Sequence, residues 1–200
     1  MPIVPRIVFT RLAVVVLLIS AALARADDTA FPRTIQISAD DKHHELAYTG
    51  EAKRVVLFFR VYDIAHYAVT GTQQSLTPEA VVVDGPAKAI MINFSRELGR
   101  DQIKEEFDKS LRRNAEPVWL SEAQPTITAF IDTIDRGAVE GDQLVFYWLP
   151  GGRVITEFNG ELAFEAADTA FAKSIWSIWF GAKPACDSEQ LLASYGDVAP

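Results

Sequence analysis

The sequence predicts an α+β fold in which helices pack on one face of an antiparallel sheet, and three observations predict it. Apolar–polar alternation and β-branched runs fill the first half of the chain, from Thr34 to Phe94. Two connections, Pro150-Gly151-Gly152 and Asn159-Gly160, have hairpin chemistry and make the short apolar runs around them antiparallel neighbours. Two other stretches, 99–114 and 171–180, carry apolar residues at helical spacing.

Taken in order, Thr34 to Ser38 alternates like a half-buried strand, and Glu45 to Tyr48 resumes the pattern after a polar turn. Thr49-Gly50-Glu51 reads as a turn. Arg54 to Val69 reads as one long β-rich run, and Lys88 to Phe94 as a further apolar strand. The period then changes. Ile103, Phe107 and Leu111 fall every four residues, with Asp101, Glu105 and Glu106 early and Lys109, Arg112 and Arg113 late, as a helix dipole favours. Asn114 reads as its C-cap. A second helix begins near Pro125 and buries Ile127, Phe130 and Ile131, and Gly141-Asp142 is a turn. Leu144 to Leu149, Val154 to Phe158 and Glu161 to Phe164 are strands. Asp168 then offers an N-cap to a helix whose face carries Phe171, Ile175, Ile178 and Trp179, stopped by Gly181 and Pro184. A short helix over Ser188 to Ala193 follows.

Residues 1–26 have the pattern of a secretory signal peptide: Arg6 and Arg11, an apolar run from Leu12 to Ile19, then Ala24-Arg25-Ala26. The run is short for a membrane span, which takes about 20 residues. A retained anchor is the alternative reading; otherwise no stable membrane span remains after processing. The expected domain is residues 27–200, periplasmic or secreted. Without Arg6, Arg11 and Arg25 the formal charge of −8 becomes −11, which repels phosphate backbones and argues against nucleic acid as a partner. The lone Cys186 permits no intrachain disulfide, and with no nearby histidine it reads as an inert or partly exposed thiol.

Three segments, taken together and in order, resemble the chalcone isomerase-like family, in particular its secreted bacterial branch. They are Gly50-Glu51-Ala52-Lys53-Arg54 running into Phe59 to Tyr67; Gly141-Asp142 through Leu149-Pro150-Gly151-Gly152 and Asn159-Gly160; and Phe171-Ala172 through Trp179-Phe180-Gly181 and Lys183-Pro184. The resemblance implies an open-faced β-sandwich, a curved antiparallel sheet with a helical layer on one face. In the family's plant enzymes a phenolate adds intramolecularly to an unsaturated ketone, with charge stabilised by an arginine that Arg54 matches through the Gly-x-x-x-Arg context. The rest of that equipment departs from the pattern. Tyr62 stands where the enzymes place a threonine, no tyrosine occurs from Gly99 to Asn114, and the helix asparagine falls near Lys109 or Ser110.

The family's non-catalytic plant members bind fatty acids with the same arginine and a tyrosine. Arg54 with Tyr62 resembles that pair, with Tyr67 as the substitute if the register differs. A guanidinium fork can take a carboxylate bidentately, a phenol can add a hydrogen bond, and an apolar cleft can take the tail. Eight residues of straight strand, however, span roughly 26 Å at about 3.3 Å per residue. Arg54 and Tyr62 could grip one carboxylate only if the strand breaks or curls between them. The expected function is therefore a non-catalytic binding protein for a small hydrophobic carboxylate, fatty or aromatic, with no cofactor, and with a closed apolar cleft ending at Arg54. The alternatives are an intramolecular lyase or isomerase, with an open cleft and several polar groups converging on Arg54, and a structural or interaction protein of the cell envelope, with Arg54 buried against an internal acid. Asp63 is expected to pair with Arg60 or Arg54, or to lie at an edge. Trp176 and Trp179 read as core or cleft lining. His43, His44 and His66 read as solvated turn residues, and no metal is expected.

Overall fold

Seven antiparallel strands in sequential order form a single sheet without a crossover. The computed structural model describes residues 31–39, 42–69 and 76–195; the expected signal segment lies outside them. The strands are β1 (Thr34–Ala39), β2 (Lys42–Val56), β3 (Phe59–Ala68), β4 (Lys88–Phe94), β5 (Gln143–Leu149), β6 (Arg153–Phe158) and β7 (Glu161–Ala167). Between β3 and β4 lies the short α1 (Pro78–Val81). Between β4 and β5 lie α2 (Arg100–Asn114), α3 (Pro117–Glu122) and α4 (Gln124–Thr133), and α5 (Thr169–Phe180) follows β7.

The helices cover one face of the sheet, as predicted. Between sheet and helices sits the larger core, in which Phe130 of α4 meets Phe107, Phe146, Phe164 and Phe171 at ring-centroid distances of 5.3 to 5.8 Å. Trp176 of α5 packs edge-on to Trp148 of β5 at 5.2 Å. Such edge and tilted contacts are the arrangement aromatic quadrupoles favour. The opposite face carries a second buried cluster that includes Leu46, Tyr48, Ala65, Tyr67, Met91 and Tyr147. The central strands β4 and β5 are therefore buried on both faces, which is why they read as continuous apolar runs. Asp168 caps α5 as expected, accepting from Phe171 N at 2.9 Å, and its other oxygen accepts from the Thr126 hydroxyl at 2.6 Å. Among the described residues no helix is long and apolar enough to cross a membrane.

Several elements differ from expectation. Thr49-Gly50-Glu51 is not a turn but a bulge inside the 15-residue β2, where the register with β3 shifts between Tyr48 and Gly50. The bulge accommodates the C-terminal segment: Thr49 donates its hydroxyl to Leu191 O at 2.8 Å, and Ser194 N donates to Thr49 O at 2.8 Å. The expected helix over 188–193 is a single 3₁₀ turn, Gln190–Leu192. The helices α1 and α3 lie in stretches with no helical period long enough to show; α3 begins with Pro117 at its first turn. The run from Arg54 to Val69 is two strands, and the break between them builds the candidate site.

Candidate functional site

β2 and β3 form a hairpin whose last pair is Val56 opposite Phe59, leaving Leu57 and Phe58 as a two-residue turn. Both turn residues have positive φ, 47° and 73°, the signature of the type I′ connection that suits the right-handed twist of the strands. Just below the tip the register shifts, since Arg54 opposes Tyr62 while Val55 opposes Arg60; Val61 is the extra residue of a bulge. Arg54 and Tyr62 are thus direct cross-strand partners, with Cβ atoms about 4.5–5.5 Å apart by the geometry of such pairs. The chain reverses between them, so the straight-strand separation does not arise.

The pair lies on the helix side of the sheet, in the wall of a cleft of about 640 Å³. Ile92, Phe94 and Leu144 supply its sheet wall, Ile103 and Phe107 of α2 and Ile178 and Trp179 of α5 its helical wall. The volume is in the range of sites that take small organic ligands. Arg54 Nη1 donates to Ala185 O at 2.8 Å, which anchors one edge of the guanidinium. Among the described residues no carboxylate forms an ion pair with Arg54. Asp63, the internal acid considered for it, pairs instead with Arg60, at 2.6 Å from Arg60 Nε to Asp63 Oδ1. The Tyr62 hydroxyl oxygen accepts from the Trp179 indole N–H at 3.0 Å. Burial, with Cys186 adding to it, pushes the Tyr62 pKa above the ordinary phenol range, so the hydroxyl keeps its proton. It is a donor with one bond already accepted, not a base.

Charge around the cleft runs against the chain as a whole. Arg54, Arg96 and Arg113 line it together with Lys109 and Glu106, of which Lys109 is paired with Glu105 at 2.7 Å and with Glu106 at 3.8 Å, on a protein whose formal charge is −8. Such a rim attracts an anionic ligand. The cleft is open rather than closed, since its rim includes the exposed Val56, Leu57 and Phe59 of the hairpin. A second cavity of about 500 Å³ lies on the far side of Phe94, Ile103, Phe107 and Leu144, which both cavities share.

The other expected residues are dispersed. Tyr67 is not in the cleft. β3 pairs with β4 without a break from Tyr62 to Ala68, so an odd step of five puts Tyr67 on the opposite face, where it is fully buried. There its hydroxyl donates to Pro32 O at 3.1 Å. His66 is not a solvated turn residue either; it is fully buried within β3, Nδ1 2.7 Å from the Thr49 hydroxyl. His43 lies on exposed β2 surface beside Ser38 at 2.6 Å. Trp179 lines the cleft while Trp176 belongs to the core. Burial pushes the Cys186 thiol up to about 12, leaving it un-ionised at neutral pH. Among the described residues no three His, Cys, Asp or Glu side chains converge as a metal-binding group. Sequence reasoning missed the α2 wall and the hairpin tip. Helical period marked Ile103 and Phe107 as apolar, but only the packing of α2 over the hairpin makes them cleft wall.

A curled antiparallel sheet with a helical layer on one face, with Arg54 in the wall of an open cleft between them, defines an α+β protein of the open-faced sandwich class. The chain belongs to the chalcone isomerase-like family, whose sequence model matches residues 24–192. Among solved structures it is similar to a fatty-acid binding protein of Arabidopsis thaliana, with 14% identity, 81% of this chain and 90% of that chain covered, and a TM-score of 0.58. At that identity the likeness carries the fold. No curated protein sequence matches the chain.

Proposed function

We propose that this chain binds the carboxylate of a small hydrophobic acid, fatty or aromatic, through Arg54 and Tyr62, and holds it without transforming it. The observation that carries the reading is the direct opposition of Arg54 and Tyr62 in the wall of an apolar cleft, with no described acid paired to the arginine. A guanidinium held at one edge by Ala185 O retains N–H donors for a carboxylate, and the protonated phenol adds another. The apolar walls then take the hydrocarbon. That the structurally similar Arabidopsis protein binds fatty acids supports the ligand class. Tyr62 as a neutral donor, and the absence of a tyrosine from α2, favour binding over the family's cyclisation chemistry. The signal-like residues 1–26 support a periplasmic or secreted location for the remainder.

The test is mass spectrometry of organic extracts from purified residues 27–200 and from the Arg54→Ala variant. A fatty or aromatic acid retained by the first and lost by the second is the expected result. Two empty proteins of equal stability, neither of which takes up added palmitate, would overturn the clamp.

A further inference from the structure

The tip of the β2–β3 hairpin is the most apolar exposed surface among the described residues, and it stands at the mouth of the cleft. Val55, Val56, Leu57, Phe58 and Phe59 are all exposed, Leu57 at 80% and Phe58 at 99%. Leaving such side chains in water is unfavourable, and the backbone adds to the cost. The hairpin turn between β6 and β7 places Asn159 and Gly160 at φ 53° and 78°, the residues that tolerate those angles. The β2–β3 turn adopts the same conformation with a leucine and a phenylalanine, which bear it poorly. Neither folding nor packing gains from that choice, because Phe58 touches water on nearly all sides. Strain kept at an exposed apolar pair points to a use outside the fold.

We infer that this hairpin inserts into the surface of an anionic lipid bilayer and sets the cleft mouth against it. The dimensions agree. From the Val55–Arg60 pair to the turn the strand rises about 7 Å, and interfacial apolar elements bury about 5–10 Å into the headgroup boundary. Basic side chains stand at the base of the tip: Lys53, whose cross-strand partner is Asp63, and Arg96, stacked over the Phe59 ring at 5.3 Å, while Arg54 belongs to the cleft wall. Arg60 is there too but is neutralised by Asp63. The other acids near in sequence are Glu51, two residues before Lys53 on the same strand, and Glu97. Cations at phosphate depth beneath an inserted apolar tip are the arrangement that anionic lipid attracts. A protein partner fits less well, because five residues on a narrow turn fall far short of the roughly 20–30 residues a side of a stable interface.

The experiment is co-sedimentation of residues 27–200, which hold all seven strands and both core clusters, with phosphatidylglycerol–phosphatidylcholine vesicles, beside the Phe58→Ser variant. The expected result is binding that weakens in pure phosphatidylcholine and in high salt, and that falls about tenfold or more in Phe58→Ser. Phe58→Trp should shift its emission to the blue on the same vesicles. Phe58 does not line the cleft, so palmitate uptake in solution should be unchanged in Phe58→Ser. No binding to anionic vesicles, or equal binding by both proteins, would overturn the inference. So would a dimer, seen by light scattering, that Phe58→Ser dissociates. Loss of palmitate binding with vesicle binding intact would instead sink the proposed ligand and leave the hairpin's role standing.

Discussion

The indole N–H of Trp179 is donated to the hydroxyl oxygen of Tyr62 at 3.0 Å, tying α5 to β3 across the floor of the cleft. The two residues are 117 positions apart in sequence, and each is fixed by other means. Trp179 stands among core side chains, 5.9 Å from the Phe146 ring, while Tyr62 packs edge-on to Phe94 at 6.4 Å. The bond therefore aims a phenol whose position is already set. Its lone pair is used by the tryptophan, and its proton is left for the cleft.

Tyr62→Phe is expected to remove that acceptor and strand a buried indole N–H, destabilising the fold by about 1–3 kcal/mol. Carboxylate affinity should fall about ten- to a hundredfold, the worth of one hydrogen bond to a charged group. A double-mutant cycle with Trp179→Phe, read by urea unfolding, isolates the pair and should give a coupling of about 1 kcal/mol. Additive losses would mean that the bond contributes nothing to stability.

Much of this fold was legible in the sequence because local chemistry and tertiary structure agree. Asn159-Gly160 turns where such a pair should, Asp168 caps α5, and the strands from β4 onward follow their apolar runs. Arg54 was legible as a charge in an apolar run that needs a partner. Tyr62 was named as its partner by resemblance, but their direct opposition was not legible, because the chain reverses at Leu57-Phe58 with no glycine, asparagine or proline to announce it. Five consecutive apolar residues read as strand interior, and only the paired register shows them to be a turn and its flanks. The bulge at Val61 was hidden for the same reason, since an extra residue leaves no mark in an apolar run. Gly50 was noticed but misassigned: a glycine within a strand pattern marks a bulge or close approach as readily as a turn.

That close approach has a measurable consequence. A Cβ on Gly50 would collide with the Gln190 carbonyl oxygen and lie 2.7 Å from the Leu191 carbonyl carbon, and backbone cannot swing aside as a side chain can. Gly50→Ala is expected to push the 3₁₀ turn off β2 and to break the bonds that Thr49 makes to Leu191 and Ser194. The loss should be about 1–3 kcal/mol or more. Hydrogen exchange should show it concentrated at the amides of 190–195 and 48–51. A variant as stable as the parent, with those amides still protected, would remove the bulge's assigned role.

His66 gives the fold a pH dependence whose direction follows from its bonds. The Thr49 hydroxyl donates to Leu191 O, so its oxygen is left to accept from His66 Nδ1–H. The neutral ring then presents Nε2 without a hydrogen-bond partner, with the Phe180 ring 5.2 Å away edge to face. A proton on Nε2 would create a buried cation with no acceptor. Burial, and secondarily the charge of Lys88, accordingly push the pKa from 6.5 down to about 3. The unfolded chain binds this proton below about 6.5 and the folded chain does not, so stability is full above pH 6.5 and is lost as the pH falls toward 3. Lys88 itself is pushed down to about 8, so its contribution is constant below that and does not blur the window. Between pH 7 and pH 5 the unfolding free energy in urea is expected to drop by about 2 kcal/mol through His66. His66→Gln, whatever its absolute stability, should flatten that slope. Parallel profiles for parent and variant over the same range would place the titrating group elsewhere.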